Sequence, residues 1–179
     1  RDCDAVMHLA GIPRPLGHAE AEVFRTNLAL TWNVTEAACR AGVRRLVYET
    51  SVSVLGYPFG PRLLPPQHLP IGSDHPAAPQ DAYGLSKWLG EEVIDAAVRR
   101  GDLSAVSLRM PWIQTPGTFA ETVVPRRRTA EAARDLWAYL DARDAAAAFG
   151  LALAWQGEGH LRLFLTAADT FSERPSAAL

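Results

Sequence analysis

The sequence predicts an α/β fold built on a parallel sheet, and three observations carry that reading. Short, near-continuous apolar runs recur at 5–11, 44–56 and 104–113, as strands buried on both faces require. Long amphipathic stretches at 18–42 and 82–101 separate them. The resulting order, strand–helix–strand–helix–strand, is that of βαβ units, whose helices flank the sheet.

Each element has its own signature. "AVMHLAG" (5–11) is apolar and ends in glycine, as a buried strand would. In the helix at 18–42, Val23, Phe24, Leu28, Trp32, Val34 and Ala38 form the expected inward stripe, and Gly42 suits the stop. "RRLVYETSVSVLG" (44–56) is β-branched and apolar, a second strand. The proline-rich stretch 57–80 can be neither regular helix nor central strand, and is expected to be an ordered loop over a site. The helix at 82–101 offers Leu85, Trp88, Leu89, Val93, Ala97 and Val98 as its apolar face. A third strand at 104–113 stops at "QTPGT". A short strand at 135–141, a helix at 142–156 with Asp144 near its positive end, and a strand at 160–167 complete the chain. The tail "ADTFSERPSAAL" reads as the opening of another helix.

Composition excludes several function classes. Hydrophobic residues are 48% and charged residues 21% of 179, as in ordinary globular chains. The net charge of −2 gives no reason to expect nucleic acid or an anionic membrane as partner. Arg126–Arg127–Arg128 is short and reads as a solvated surface, with an anion or phosphate contact as the alternative. Cys3 and Cys39 have neither metal-ligand spacing nor a disulfide framework, so reduced thiols, a cytoplasmic location and no metal are expected. No apolar run reaches the ~18 residues of a membrane span.

The chemistry concentrates at one edge. Parallel sheets bind ligands outside the carboxyl ends of their strands. Gly11, Ser51 and the segment 111–117 lie at or just after predicted strand ends, and Tyr83 and Lys87 begin the helix leading into the third strand. A phenol titrates near ~10 and is a poor base at neutral pH. An ammonium one helical turn away would stabilise the phenolate and lower that value. Tyr83 could then exchange a proton with a substrate hydroxyl, while Ser51 orients the reacting oxygen. Ser53 lies on the same face and is a rival for that role. His8 reads as a satisfied core residue, Asp144 as a helix-start residue, and Trp88, Trp137 and Trp155 as packing residues.

On "DAVMHLAG" (4–11), "NLALTWNVTEAACRAGVRRLVYETSVSVLG" (27–56), "YGLSK" (83–87) and "LRMPWIQTPG" (108–117), the chain resembles extended short-chain dehydrogenases/reductases of the NAD-dependent epimerase/dehydratase family. The resemblance implies a Rossmann-type sheet and NAD or NADP as cofactor. It implies a catalytic set of Ser51, Tyr83 and Lys87. It places Leu9, Ala10 and Gly11 along the cofactor's ribose and phosphates, Asn27 in support of the cofactor or the lysine, and Thr50 beside the nicotinamide ribose. Lys87 reaches ribose hydroxyls, Pro111 and Ile113 flank the carboxamide, and Trp112 joins Ser51 and Tyr83 in facing a small-molecule substrate. The helices at 18–42 and 82–101 resemble those that pair in a homodimer.

Two departures qualify the resemblance. No Gly-rich pyrophosphate turn occurs among the 13 glycines, so an N-terminal βαβ portion is expected to be missing. Residues 1–115 are then the second half of the dinucleotide-binding domain and 116–179 part of a small C-terminal substrate-side region. The 179 residues alone are expected to bind NAD weakly. Trp112 stands where nucleotide-sugar epimerases and dehydratases of the family carry asparagine, which favours a smaller substrate. The function expected is oxidoreduction of a secondary alcohol or ketone, with a sugar or sugar acid as substrate. The alternatives are a nucleotide-sugar epimerase or dehydratase, and an inactive fragment or regulatory NAD-binding protein.

Overall fold

The computed structural model describes residues 3–129 and 131–175. Strand β1 (Ala5–His8) leads to helix α1 (Glu20–Arg40), β2 (Arg45–Ser51), a 3₁₀ turn (Val52–Leu55), α2 (Ala82–Arg99) and β3 (Ser104–Met110). Then come β4 (Trp112–Gln114), the short α3 (Pro116–Thr118), further helical turns to Arg126, and α4 (Glu131–Arg134). Strand β5 (Tyr139–Asp141), α5 (Ala142–Ala154) and β6 (His160–Phe164) follow. The main sheet is parallel throughout, in the order β1-β2-β3-β6, and β4 pairs with β5 in a small parallel sheet of two. The region beyond residue 115 is therefore shared: β5 joins β4, while β6 returns to the main sheet beside β3.

Apolar side chains cover both faces of β2 and β3. Leu46, Tyr48 and Ala105 pack with Ile94 and Ala97 of α2 on one side, and Val47, Val106 and Leu108 pack with Phe149 and Ala152 of α5 on the other. This double burial explains the continuous apolar runs.

The inward face of α1 corrects the sequence expectation. Its buried residues are Val23, Asn27, Thr31, Thr35 and Ala38, while Trp32 is half-exposed. Small and polar side chains allow a close approach to α2 and β1, where Asn27 meets Ser86 and Thr31 meets His8. On α2 the buried set is likewise partly polar, including Tyr83, Ser86, Lys87 and Glu91, and Leu85, Leu89 and Val93 keep some exposure.

Two further expectations shift. The strand proposed at 135–141 starts only at Tyr139, because Leu136 and Trp137 take left-handed φ values of 53° and 49°. The described part of the tail is irregular, not helical, and Phe171 anchors it by packing with Val123 and Ala132.

The proline-rich loop is ordered by side-chain clamps. The Gln80 amide donates to the carbonyls of Gly56 and Arg62, both at 2.8 Å. Buried His75 accepts from the Gln67 N–H at 3.1 Å. Gly56, at φ 81°, is tied in closely: a Cβ there would overlap the Ala78 carbonyl oxygen.

Candidate active site

Local structure places Ser51 and Tyr83 together. Strand β2 ends on Ser51, whose hydroxyl oxygen accepts from the Ser53 N–H at 3.1 Å and so starts the 3₁₀ turn. Asp81 caps α2 by accepting from the N–H groups of Tyr83 and Gly84, each at 2.9 Å. That cap fixes Tyr83 in the first turn and Lys87 one turn later. Gly84 lets the helix start lie against the 3₁₀ turn, since an added Cβ would come 2.6 Å from the Ser53 carbonyl oxygen.

A cleft of about 650 Å³ opens at these strand ends. Ser51, Tyr83, Pro111, Trp112 and Ile113 line it, joined by Glu49, Ser53, Phe59, Arg126 and Arg134. Leu9, Ala10 and Gly11 are exposed at the end of β1, and Asn27, Thr50 and Lys87 are buried behind the cleft wall. Phe59, from the proline-rich loop, meets the Tyr83 ring edge-on at 6.1 Å. The Arg126 guanidinium stacks over Trp112 at 4.7 Å and pairs with Asp135 at 2.8 Å. Of the arginine run, Arg128 alone fits a simple surface reading, paired with Glu173 at 2.8 Å on the exterior. Ser51 and Ser53 both face the cleft, and the Ser51 hydroxyl donates to Ser53 Oγ at 3.0 Å.

The electrostatics differ from the sequence expectation in one respect. Lys87 Nζ donates to the Glu49 carbonyl at 2.9 Å and to the Glu49 carboxylate at 2.8 Å. It lies 5.8 Å from the Tyr83 ring centroid. The Tyr83 phenol is pushed up, not down: burial is the main cause, the Glu49 charge is next, and the neighbouring Ser51 side chain pulls the other way. Tyr83 is thus a phenol at neutral pH in this arrangement.

Behind the cleft, Asn27 joins three elements. Its side-chain oxygen accepts from the Ile12 N–H at 2.7 Å, and its amide donates to the Ile12 carbonyl at 3.1 Å and to Ser86 Oγ at 3.3 Å. It therefore holds the loop after β1 against α2 beside Lys87. His8 Nε2 lies 3.1 Å from Thr31 Oγ1, and the ring stacks on Tyr48 at 5.3 Å. Burial, and then the Lys87 charge, lower the His8 pKa to about 4. Below about 6.5 an unfolded histidine binds a proton that folded His8 refuses until about 4, so acid favours unfolding. This one group should cost ~3 kcal/mol across that window and nothing above it. Urea unfolding at neutral and acid pH should show the loss in the wild type and a smaller one in His8→Gln.

The residues fit the nicotinamide–ribose half of a dinucleotide. Among the described residues, buried Thr50 Oγ1 at the end of β2 has no hydrogen-bond partner. The backbone at Gly11 has little room to spare, since a Cβ would sit 3.1 Å from Asn27 Oδ1. Lys87 has three N–H groups, of which two go to Glu49. No Gly-rich turn for the pyrophosphate occurs in the sequence.

Sequence reasoning missed Glu49 and Phe59 as cleft residues, and offered Arg126 only within a run whose second reading was an anion contact. One signal was available: Lys87 is the single lysine of the chain, and every other side-chain cation except histidine is arginine. An ammonium kept in a chain that otherwise uses guanidinium points to a role that guanidinium does not fill. Among the described residues, no cluster of histidine, cysteine or carboxylate side chains could hold a metal, and no helix is long and apolar enough to cross a membrane.

Comparison with known proteins shows the family and the fold. Residues 1–162 match the NAD dependent epimerase/dehydratase family. An L-arabinose 1-dehydrogenase (NAD(P)(+)) from Haloferax volcanii is 30% identical over 139 residues, covering 75% of this chain and 54% of that protein. A uronate dehydrogenase from Pseudomonas putida is 31% identical over 107 residues, covering 60% of this chain and 37% of that protein. The chain thus spans about half, or less, of the length of these relatives. A short-chain dehydrogenase/reductase superfamily protein from Agrobacterium tumefaciens, solved with bound NAD, superposes with a TM-score of 0.73 at 25% identity, covering 98% of this chain and 62% of its own. With its parallel sheet, its strand-end cleft and a family match over most of its length, the chain belongs to the NAD dependent epimerase/dehydratase family.

Proposed function

We propose that this chain carries the catalytic part of an NAD(P)-dependent oxidoreductase that interconverts a secondary alcohol and a ketone on a sugar or sugar acid. The observation that carries the reading is the placement of Tyr83 and Ser51 on one open cleft with Lys87 directly behind. The similarity to an L-arabinose dehydrogenase and a uronate dehydrogenase supports the substrate class.

In this reading Ser51 and Tyr83 are the catalytic residues that hydrogen-bond the reacting oxygen. Tyr83 gives or takes the proton, and Lys87 sets its electrostatic surroundings. The bound nicotinamide would supply or accept the hydride. Leu9, Ala10, Gly11, Asn27, Thr50, Pro111 and Ile113, with Tyr83 and Lys87, are the residues assigned to hold it. Phe59 and Trp112 exclude water from the reacting oxygen. Arg134, held among the described residues by the Gly60 carbonyl and not by a carboxylate, offers positive charge to a substrate carboxylate, with the Asp135-paired Arg126 beside it. Trp112 gives that wall an apolar surface, which favours a monosaccharide over a nucleotide sugar. We assign the protein to the cytoplasm, with no nucleic-acid or membrane partner. The half-exposed Trp32 of α1 and the partly exposed Leu85, Leu89 and Val93 of α2 suit a homodimer through these helices.

The test is net cofactor reduction, followed by nicotinamide absorbance, with the full product of the gene and a panel of aldoses, uronic acids and nucleotide sugars. A dehydrogenase accumulates reduced cofactor with an aldose or uronic acid. An epimerase re-uses its cofactor and accumulates none, which would overturn this reading in favour of the alternative.

A further inference from the structure

We propose that Glu49 is a positioning residue: it clamps the Lys87 ammonium and sets the charge that Tyr83 experiences. This rests on the reading of Tyr83 and Lys87 as the proton-transfer pair. Among the described residues, Lys87 makes two hydrogen bonds and both go to Glu49, one to its carbonyl at 2.9 Å and one to its carboxylate at 2.8 Å. An ammonium has three N–H groups, so one remains, and its direction is fixed by the other two. Lys87 is 3% exposed and the Glu49 side chain 22%, so the pair runs from the buried side of the wall to the cleft surface.

The consequence follows from charge. A bare ammonium at this distance from a phenol favours the phenolate. A carboxylate in contact with that ammonium cancels most of its field, and what reaches Tyr83 is that of a near-neutral pair. The other groups facing the pair do not replace the lost positive charge. His8 of β1 is neutral at working pH, and Tyr48 of β2 is a buried phenol under the ammonium at 5.2 Å. Asp81 of α2 adds negative charge near Tyr83, and Glu91 of the same helix is matched by Arg109 of β3. Arg14, Arg126 and Arg134 line the same cleft: Arg126 is paired with Asp135, Arg134 is held on the Gly60 carbonyl, and none of the three is among the charges that shift Tyr83, which include those of Glu49 and Asp81. The site is thereby poised with Tyr83 as a proton donor at neutral pH. Alcohol oxidation requires either alkaline pH or release of Lys87 from Glu49.

In the full gene product labelled with ¹⁵N-lysine, the Lys87 ammonium signal, identified by its loss in Lys87→Arg, should be slowly exchanging in the wild type. In Glu49→Gln its proton exchange should speed by at least about tenfold, as expected when a buried hydrogen bond opens. The same is expected of Glu49→Ser, which keeps the test usable if one variant fails to fold. In the full gene product, the pH at which alcohol oxidation reaches half its limiting rate should fall by about one unit or more in both variants. An ammonium signal unchanged in both variants overturns the clamp, and an unmoved pH limb overturns the charge-setting role. The exchange measurement needs no turnover, so it fails or succeeds independently of the proposed function.

Discussion

Tyr83→Phe is expected to lower turnover by roughly 100- to 10,000-fold, the range of a lost proton-transfer group, with cofactor affinity nearly unchanged. The substitution removes only the hydroxyl. The ring keeps its buried place and its edge contact with Phe59, so the fold has no reason to change. The parent phenol is held protonated by burial and by Glu49, so oxidation should accelerate as pH rises and carbonyl reduction should slow. Steady-state kinetics in both directions, with a binding titration of the cofactor, check the prediction. Turnover retained within a few-fold would remove Tyr83 from the proton-transfer role.

The second large effect lies about two turns further along α2. Glu91 is fully buried and receives two bonds from Arg109 of β3, at 3.0 and 2.7 Å. Arg162 of β6 approaches the same carboxylate at 3.6 Å, and also meets Glu92 and Asp95 at 2.9 and 3.1 Å. Asp95 in turn pairs with His160 at 2.7 Å. The network ties α2 to β3 and β6, and so fixes the helix that carries Tyr83 and Lys87 against the strand that leads to Pro111. Arg109→Met leaves a buried carboxylate poorly compensated and should cost ~3–5 kcal/mol. The double variant Arg109→Met/Glu91→Met removes both charges and should recover much of that loss, a coupling that urea unfolding of the four proteins measures. A single-variant cost under ~1 kcal/mol would show the pair to be solvated or dispensable.

The sheet was legible because its central strands, β2 and β3, are buried on both faces and therefore largely apolar, whereas the edge strand β1, expected to be buried, leaves Met7 exposed. The edge that holds the candidate site was legible for a related reason: Ser51 follows "RRLVYET" and Tyr83 opens the amphipathic helix, so both sit at positions that βαβ topology brings together. The inward face of α1 was legible only at Val23 and Ala38, because periodicity counts apolar residues. Asn27, Thr31 and Thr35 are buried through bonds and close packing that involve distant elements. Glu49 was hidden in the same way. In a strand it reads as one more alternation, and only the return of α2 shows that it meets Lys87. The Arg109–Glu91 pair spans 18 residues and two elements, so no local pattern could expose it. The small β4–β5 sheet was obscured because its strands have only three residues each.

The central claim is that this cleft couples proton transfer at Tyr83 to hydride transfer from a sugar carbon. It is tested most directly by a single turnover of the full gene product with oxidised cofactor and an aldose or uronic acid deuterated at the reacting carbon, read by mass spectrometry of the nicotinamide. The account predicts deuterium in the reduced nicotinamide of the wild type, and transfer slowed by roughly 100-fold or more in Tyr83→Phe. Substrate and cofactor both bound, with no label moving to the nicotinamide, would contradict it.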